Sequence, residues 1–165
     1  MLDNDLHKLV DDVLGGKYEN VHTEKGLGRK VYIFDRVVVK VPRTTDDSED
    51  NRSGSSQMCI EKIIYENYNS KMLCPILEFY KGCIIMKRIE TNPDIMLSFV
   101  PEEKEISEFL YDMYWMEIDK LVKDYNLEIV DLLYMNNWGF DEDSNTFKCV
   151  DYGLVSKEVR CMDLF

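Results

Sequence analysis

Histidine is scarce in this chain, with only His7 and His22, and no two of its five cysteines (Cys59, Cys74, Cys83, Cys149 and Cys161) form a Cys-x-x-Cys pair. A zinc site, built from closely spaced Cys and His, has almost no material here. An odd number of cysteines, three of them inside apolar runs, reads as reduced thiols serving as small hydrophobes. No stretch approaches the roughly 20 apolar residues that a bilayer span requires. The first residues, MLDNDLHKLVDDVL, are acidic and amphipathic where a secretory signal opens on basic residues. These absences predict a soluble, cytoplasmic protein. Positive charge is short as well: 20 Lys and Arg against 32 Asp and Glu give a formal net charge of −12. DNA, RNA and anionic membranes all repel an acidic surface, so no direct nucleic-acid or membrane binding is expected, while a basic protein partner is compatible. A bound nucleotide must then be held by a few well-placed cations and a metal.

What is present is ample core material: 165 residues, 45% hydrophobic and 12% aromatic. That length suits one domain or two small lobes sharing a cleft, and the composition excludes global disorder. Leu2, Leu6, Leu9, Val10, Val13 and Leu14 recur at helical spacing until Gly15-Gly16 stops them. From Val21 to Val41 the pattern turns to strands, with Asp35-Arg36 as a tight turn. Residues 42–57 hold no aliphatic side chain and read as a solvated loop. A helix is predicted from Met58 to Tyr68, then strands at 76–80 and 83–87 around Gly82. Pro101 followed by Glu-Glu-Lys-Glu predicts a helix start, with the helix running to about Tyr125. Residues 138–140 and 147–153 predict a closing hairpin around DEDSNT. The succession is α+β with an antiparallel sheet and no internal repeat.

Four features carry chemistry. GLGRKVY at 26–32 is a glycine-containing turn entering a strand, where glycines let backbone amides approach phosphates; hairpin turns use glycine in the same way. VVVK at 37–40 ends three valines in Lys40, a strand-end charge reaching water or a cation aimed at phosphates. Glu61 on the following helix is placed to pair with it, and Glu66 faces elsewhere. DLLYMNNWGF at 131–140 separates Asp131 from Asn136 by four intervening residues, and CVDYG at 149–153 ends an apolar strand in Asp151.

Glu61 follows Lys40 by 21 residues, Asp131 by 91, and Asp151 lies 20 beyond Asp131. This succession resembles the protein-kinase plan of glycine-rich loop, strand lysine, helix glutamate, Asp-x-x-x-x-Asn and Asp-Phe-Gly. It is similar to the compact kinase-like proteins encoded by bacteriophages, in G-x-x-R-K-V-Y running into V-x-K-V-P and in an Asn-Trp-Gly step before Asp-Tyr-Gly. The likeness covers roughly residues 22–156.

The resemblance implies a kinase-like fold, with a small antiparallel-sheet N-lobe over residues 1–90 and a minimal, mostly helical C-lobe over 91–165. It implies ATP and Mg²⁺ as cofactors. Gly26 and Gly28 would cover the phosphates. Lys40 would contact the α- and β-phosphates and pair with Glu61. Met86 to Glu90, including Arg88, would form the hinge on adenine. Asp131 would orient or deprotonate the acceptor hydroxyl, while Asn136 and Asp151 would hold Mg²⁺, with Asn137 the alternative to Asn136.

The pattern is departed from in places. The third loop glycine is absent, with Arg29-Lys30 intervening before Val31. Ile129-Val130 precede Asp131 where kinases carry His-Arg or His-Gly, and Leu132-Leu133 follow it. Only 14 residues follow Asp151 in this sequence, which predicts a shortened C-lobe. Three functions stay open: a phosphotransferase acting on a protein or small-molecule hydroxyl, a catalytically impaired kinase-like protein that modulates a host protein, and an acidic mimic of nucleic acid. Met162, Leu164 and Phe165 are expected to offer an apolar surface to a partner.

Overall fold

The computed structural model describes residues 3–18, 23–25, 28–43 and 53–154. Leu2, His22, Gly26, most of the solvated loop, Cys161, Met162, Leu164 and Phe165 lie outside the described residues.

Helix α1 (Asp3–Leu14) forms where the apolar spacing predicts it. Leu6, Val10 and Val13 make one stripe and are buried. Gly16 at φ 79° ends the helix in the left-handed region open to glycine. Next come strands β1 (Thr23–Lys25), β2 (Arg29–Ile33) and β3 (Val37–Pro42), followed by helix α2 (Gly54–Asn67) and strands β4 (Ile76–Tyr80) and β5 (Cys83–Lys87). The five strands pair antiparallel in the order β1-β2-β3-β5-β4. Lys81 and Gly82, at φ 50° and 75°, make the two-residue turn between β4 and β5, the hairpin geometry whose twist matches its strands.

Alternation along these strands decides which side chains face which layer. Val37 and Val39 of β3, Tyr32 of β2, and Cys83 and Ile85 of β5 pack against α1. The intervening residues, Val38 and Lys40 of β3 and Val31 and Ile33 of β2, line a cleft on the opposite face. Helix α2 touches β3, β4 and β5, and its Met58, Ile60 and Ile64 join Ile84 and Met86 of β5 in the second core.

The rest of the described chain is helical apart from one hairpin. It comprises α3 (Pro93–Leu97), α4 (Ile106–Tyr125), α5 (Ile129–Leu132), a 3-10 turn (Met135–Asn137), β6 (Trp138–Asp141) and β7 (Thr146–Cys149). Leu110, Tyr114, Ile118 and Leu121 of α4 continue the same core as α2. Trp138, fully buried, donates from Nε1 to Leu132 O at 2.6 Å and stacks on Tyr114. The end of β7 is stitched to the segment before β4: Cys74 N–H donates to Cys149 O at 2.9 Å, and Cys149 N–H to Met72 O at 2.6 Å.

Two boundaries differ from the sequence expectation. Helix α2 starts at Gly54, four residues before Met58, because Ser53 caps it by accepting from Ser56 N–H. The helix expected from Pro101 begins at Ile106 instead, since Pro101 O accepts from Lys104 N–H in a closed turn. Helix α3, with Asn92 as its cap and Pro93 in its first turn, was not expected. Among the described residues the four cysteines are free thiols. Burial pushes Cys74 up to about 12 and Cys83 to about 11, which keeps both inert. No helix of the described residues is long and apolar enough to cross a membrane.

Candidate functional site

β3 delivers Lys40 and α2 delivers Glu61 to one point. Lys40 Nζ donates to Glu61 Oε1 at 2.8 Å and to Val150 O at 2.7 Å. Glu61 is fully buried and Lys40 nearly so. Of the three N–H bonds of the ammonium, these contacts leave one. Glu66, the competing glutamate, lies on the exposed side of α2, paired with Lys62.

Asp151 reaches the same point just beyond the end of β7. Val150 N–H donates to Asn137 O at 2.7 Å, tying this segment to the 3-10 turn. The two residues after Asp151 fix it against α2. Tyr152 is buried, its N–H 3.3 Å from Glu61 Oε1 and its hydroxyl donating to Cys74 O. Gly153 lies so close to α2 that a Cβ there would stand 2.2 Å from Gln57 O.

A residue that the motif reading passed over completes the cluster. Arg29, read as an interruption of the glycine loop, is buried between the two carboxylates. Its Nη1 donates to Glu61 Oε1 at 3.0 Å, and its Nη2 donates to Asp151 Oδ1 at 2.5 Å and Oδ2 at 2.6 Å. Strand alternation was the available signal: two residues before the cleft-facing Val31, Arg29 shares the face of Lys40. Burial pushes the Asp151 carboxyl up, but Arg29 and Lys40 together outweigh it and hold Asp151 well below the usual carboxylate range.

Asp131 sits half-buried on α5, and its backbone oxygen accepts from Asn137 Nδ2 at 2.8 Å. Burial pushes its carboxyl up to about 6, and the negative charge of Asp151 adds to this; Arg29 and a hydrogen bond from Asn137 oppose it. The raised value sets a sign. The folded state binds this proton more tightly than the unfolded chain does, so stability falls as pH rises from about 4 through about 6. Asp131→Asn removes the penalty. Because the group is partly exposed, solvent screening limits the gain to about 1–2 kcal/mol. We expect the variant to melt a few degrees higher than the wild type at pH 7.5, and the difference to shrink as pH falls through about 6 and to vanish by about pH 3.

The remaining predicted residues are distributed unevenly. Met86 is buried on β5 opposite Val38 and lines the cleft. Arg88 is exposed and outside the lining; its N–H donates to Arg36 O, and its guanidinium to Phe34 O. Gly28 does not line the cleft either. Its carbonyl accepts from Arg43 N–H and abuts Gly54, where a Cβ would stand 1.9 Å away. Asn136 and Asn137 both line the cleft, but Asn136 is exposed and donates to Tyr134 Oη.

The cleft therefore has apolar walls from Val31, Ile33, Val38, Met86 and Ile89, and a polar end formed by Lys40, Asp151 and the two asparagines. That is the composition of a small-molecule site. As arranged, the polar end does not fit Mg²⁺, which demands near-octahedral oxygen ligands at 2.0–2.1 Å. Both Asp151 oxygens accept from Arg29, while the amide nitrogens of Asn136 and Asn137 donate to Tyr134 Oη and Asp131 O. No group of three His, Cys, Asp or Glu among the described residues could hold a metal.

Comparison with family models, curated proteins and solved structures finds no match for this chain. The functional reading therefore rests on its residues.

Proposed function

We propose that the chain is kinase-like in fold and binds an adenine nucleotide in this cleft, acting on a protein partner as a nucleotide-holding protein in which phosphoryl transfer is impaired. The observation that carries this reading is the buried pair of Lys40 on a strand and Glu61 on the helix behind it, set beside Asp151 at the polar end of an apolar cleft. Among the described residues Lys40 is the cleft-lining ammonium held by a buried carboxylate and a backbone oxygen, which leaves its third N–H for a ligand phosphate. The base lies against Val31, Val38 and Met86. Impaired transfer is supported by the occupied oxygens of Asp151 and by Asn136 turned to Tyr134.

Phosphoryl transfer to a hydroxyl is the second reading, favoured by Asp131, whose raised value of about 6 suits a proton acceptor near neutral pH. Thermal unfolding with ATP, with and without Mg²⁺, tests the nucleotide site. A ligand bound only by the folded state at a hundredfold excess over Kd adds roughly 2.7 kcal/mol, so a rise in Tm of several degrees is expected. Lys40→Met should abolish the shift. An unchanged Tm at millimolar ATP in both buffers removes the nucleotide reading.

A further inference from the structure

One nitrogen, Nη2 of Arg29, lies 2.5 Å and 2.6 Å from the two oxygens of Asp151. Being nearly equidistant from both, it occupies the seat that a cation chelated by the whole carboxylate would take. Nη1 anchors the same guanidinium to Glu61 at 3.0 Å, and the side chain is only 7% exposed. This arrangement is internally balanced: two cations, Arg29 and Lys40, meet two carboxylates, Glu61 and Asp151. A divalent ion chelated by both oxygens of Asp151 must displace the guanidinium. It then leaves Arg29 and Lys40 to share Glu61 alone, with two further positive charges beside them in a buried place. Removing one partner of a buried ion pair is strongly unfavourable, because the charge left behind is uncompensated. Arg29 is also part of the chain, fixed by strand β2, and needs no recruitment from solution.

We propose that Arg29 stands in for the divalent cation, so that the cleft takes its nucleotide free of metal, with Lys40 as the cation that meets the phosphates. This rests on the nucleotide reading above and deepens it. Its prediction differs from what a metal-held nucleotide gives: removing Mg²⁺ leaves affinity intact instead of lowering it.

Calorimetric titration of the full chain with ATP, in EDTA and in excess Mg²⁺, is the test, alongside titration with Mn²⁺ alone. For the wild type we expect the two ATP affinities to agree within about threefold and Mn²⁺ alone to give no binding. Arg29→Gln uncovers Asp151. It should weaken ATP binding in EDTA by about tenfold, restore it with Mg²⁺, and acquire Mn²⁺ binding that a further Asp151→Asn change removes. Arg29→Lys, which keeps a cation at Asp151, should retain metal-free binding, and thermal unfolding of each variant establishes that it folds. The wild-type arms decide the matter without any variant. ATP binding about tenfold tighter in Mg²⁺ than in EDTA, or binding of Mn²⁺ alone by the wild type, overturns the inference and leaves the nucleotide site standing. Absence of ATP binding in both buffers overturns the nucleotide reading and the inference together.

Discussion

Glu61→Ala should cost about 3 kcal/mol or more of stability, a fall in Tm of roughly 6–12 °C for a chain of this size. No other side chain among the described residues gathers so many buried donors. Its Oε1 accepts from Lys40 Nζ at 2.8 Å, Arg29 Nη1 at 3.0 Å and Tyr152 N–H at 3.3 Å. The truncation leaves Lys40 with only the Val150 carbonyl and puts two cations against the single carboxylate of Asp151. It also opens a cavity in α2 at a position with no solvent exposure. Glu61→Gln separates the two contributions, since it keeps the shape and an acceptor oxygen but removes the charge; we expect it to lose less than the alanine variant. Paired chemical-denaturation curves measure both. A loss below about 1 kcal/mol for Glu61→Ala would mean that water reaches the cluster and screens it as it does a surface pair.

Gly153→Ala should be comparably damaging, by about 2–4 kcal/mol, although it adds one methyl group. The new Cβ would stand 2.2 Å from Gln57 O and 2.8 Å from Glu61 Cγ. Gln57 lies inside α2, so its carbonyl belongs to the helix ladder and cannot turn aside as a flexible side chain could. Either α2 or the Asp151–Gly153 segment must retreat: the first carries Glu61 away from Lys40, and the second carries Asp151 away from Arg29 and Tyr152 N–H away from Glu61. The variant should therefore lose both stability and nucleotide response, while a substitution at Gly82, where a Cβ meets nothing within 4 Å, should affect only the turn. A Gly153→Ala protein with wild-type unfolding would show that the two elements are not pressed together as described.

What the sequence disclosed was whatever is governed by neighbours along the chain. The β-branched runs in VYI and VVVK on either side of Asp35-Arg36 gave β2 and β3, and the apolar stripe of Leu6, Val10 and Val13 gave α1, because burial repeats with the period of the helix. The start of α2 was hidden because its first turn, Gly54 to Gln57, has no apolar residue to register a period; the cap at Ser53 was the only mark. Pro101 misled for the converse reason, its local helix-start chemistry being realised as a turn instead. Lys40, Glu61 and Asp151 were legible as a set through their order, and they do meet in space. Arg29 was not, since the contact that gives it meaning spans 122 positions, and nothing near Arg29 in the chain announces Asp151. Gly139 was noted as part of a motif, but its reason is tertiary: a Cβ there would stand 2.5 Å from Glu90 O.

The stitch between Cys74 and Cys149 bears on how the cleft can move. The sheet and the helical half are joined by the chain leaving β5, by the hydrogen bonds of Cys74 N–H and Cys149 N–H, by Lys87 to Asp141, and by the Arg29–Asp151 and Lys40–Val150 contacts at the cleft. Several fastenings over a core that α2 and α4 share leave no single hinge line. Ligand entry then calls for an exchange of polar contacts at the cleft rather than for two halves swinging apart.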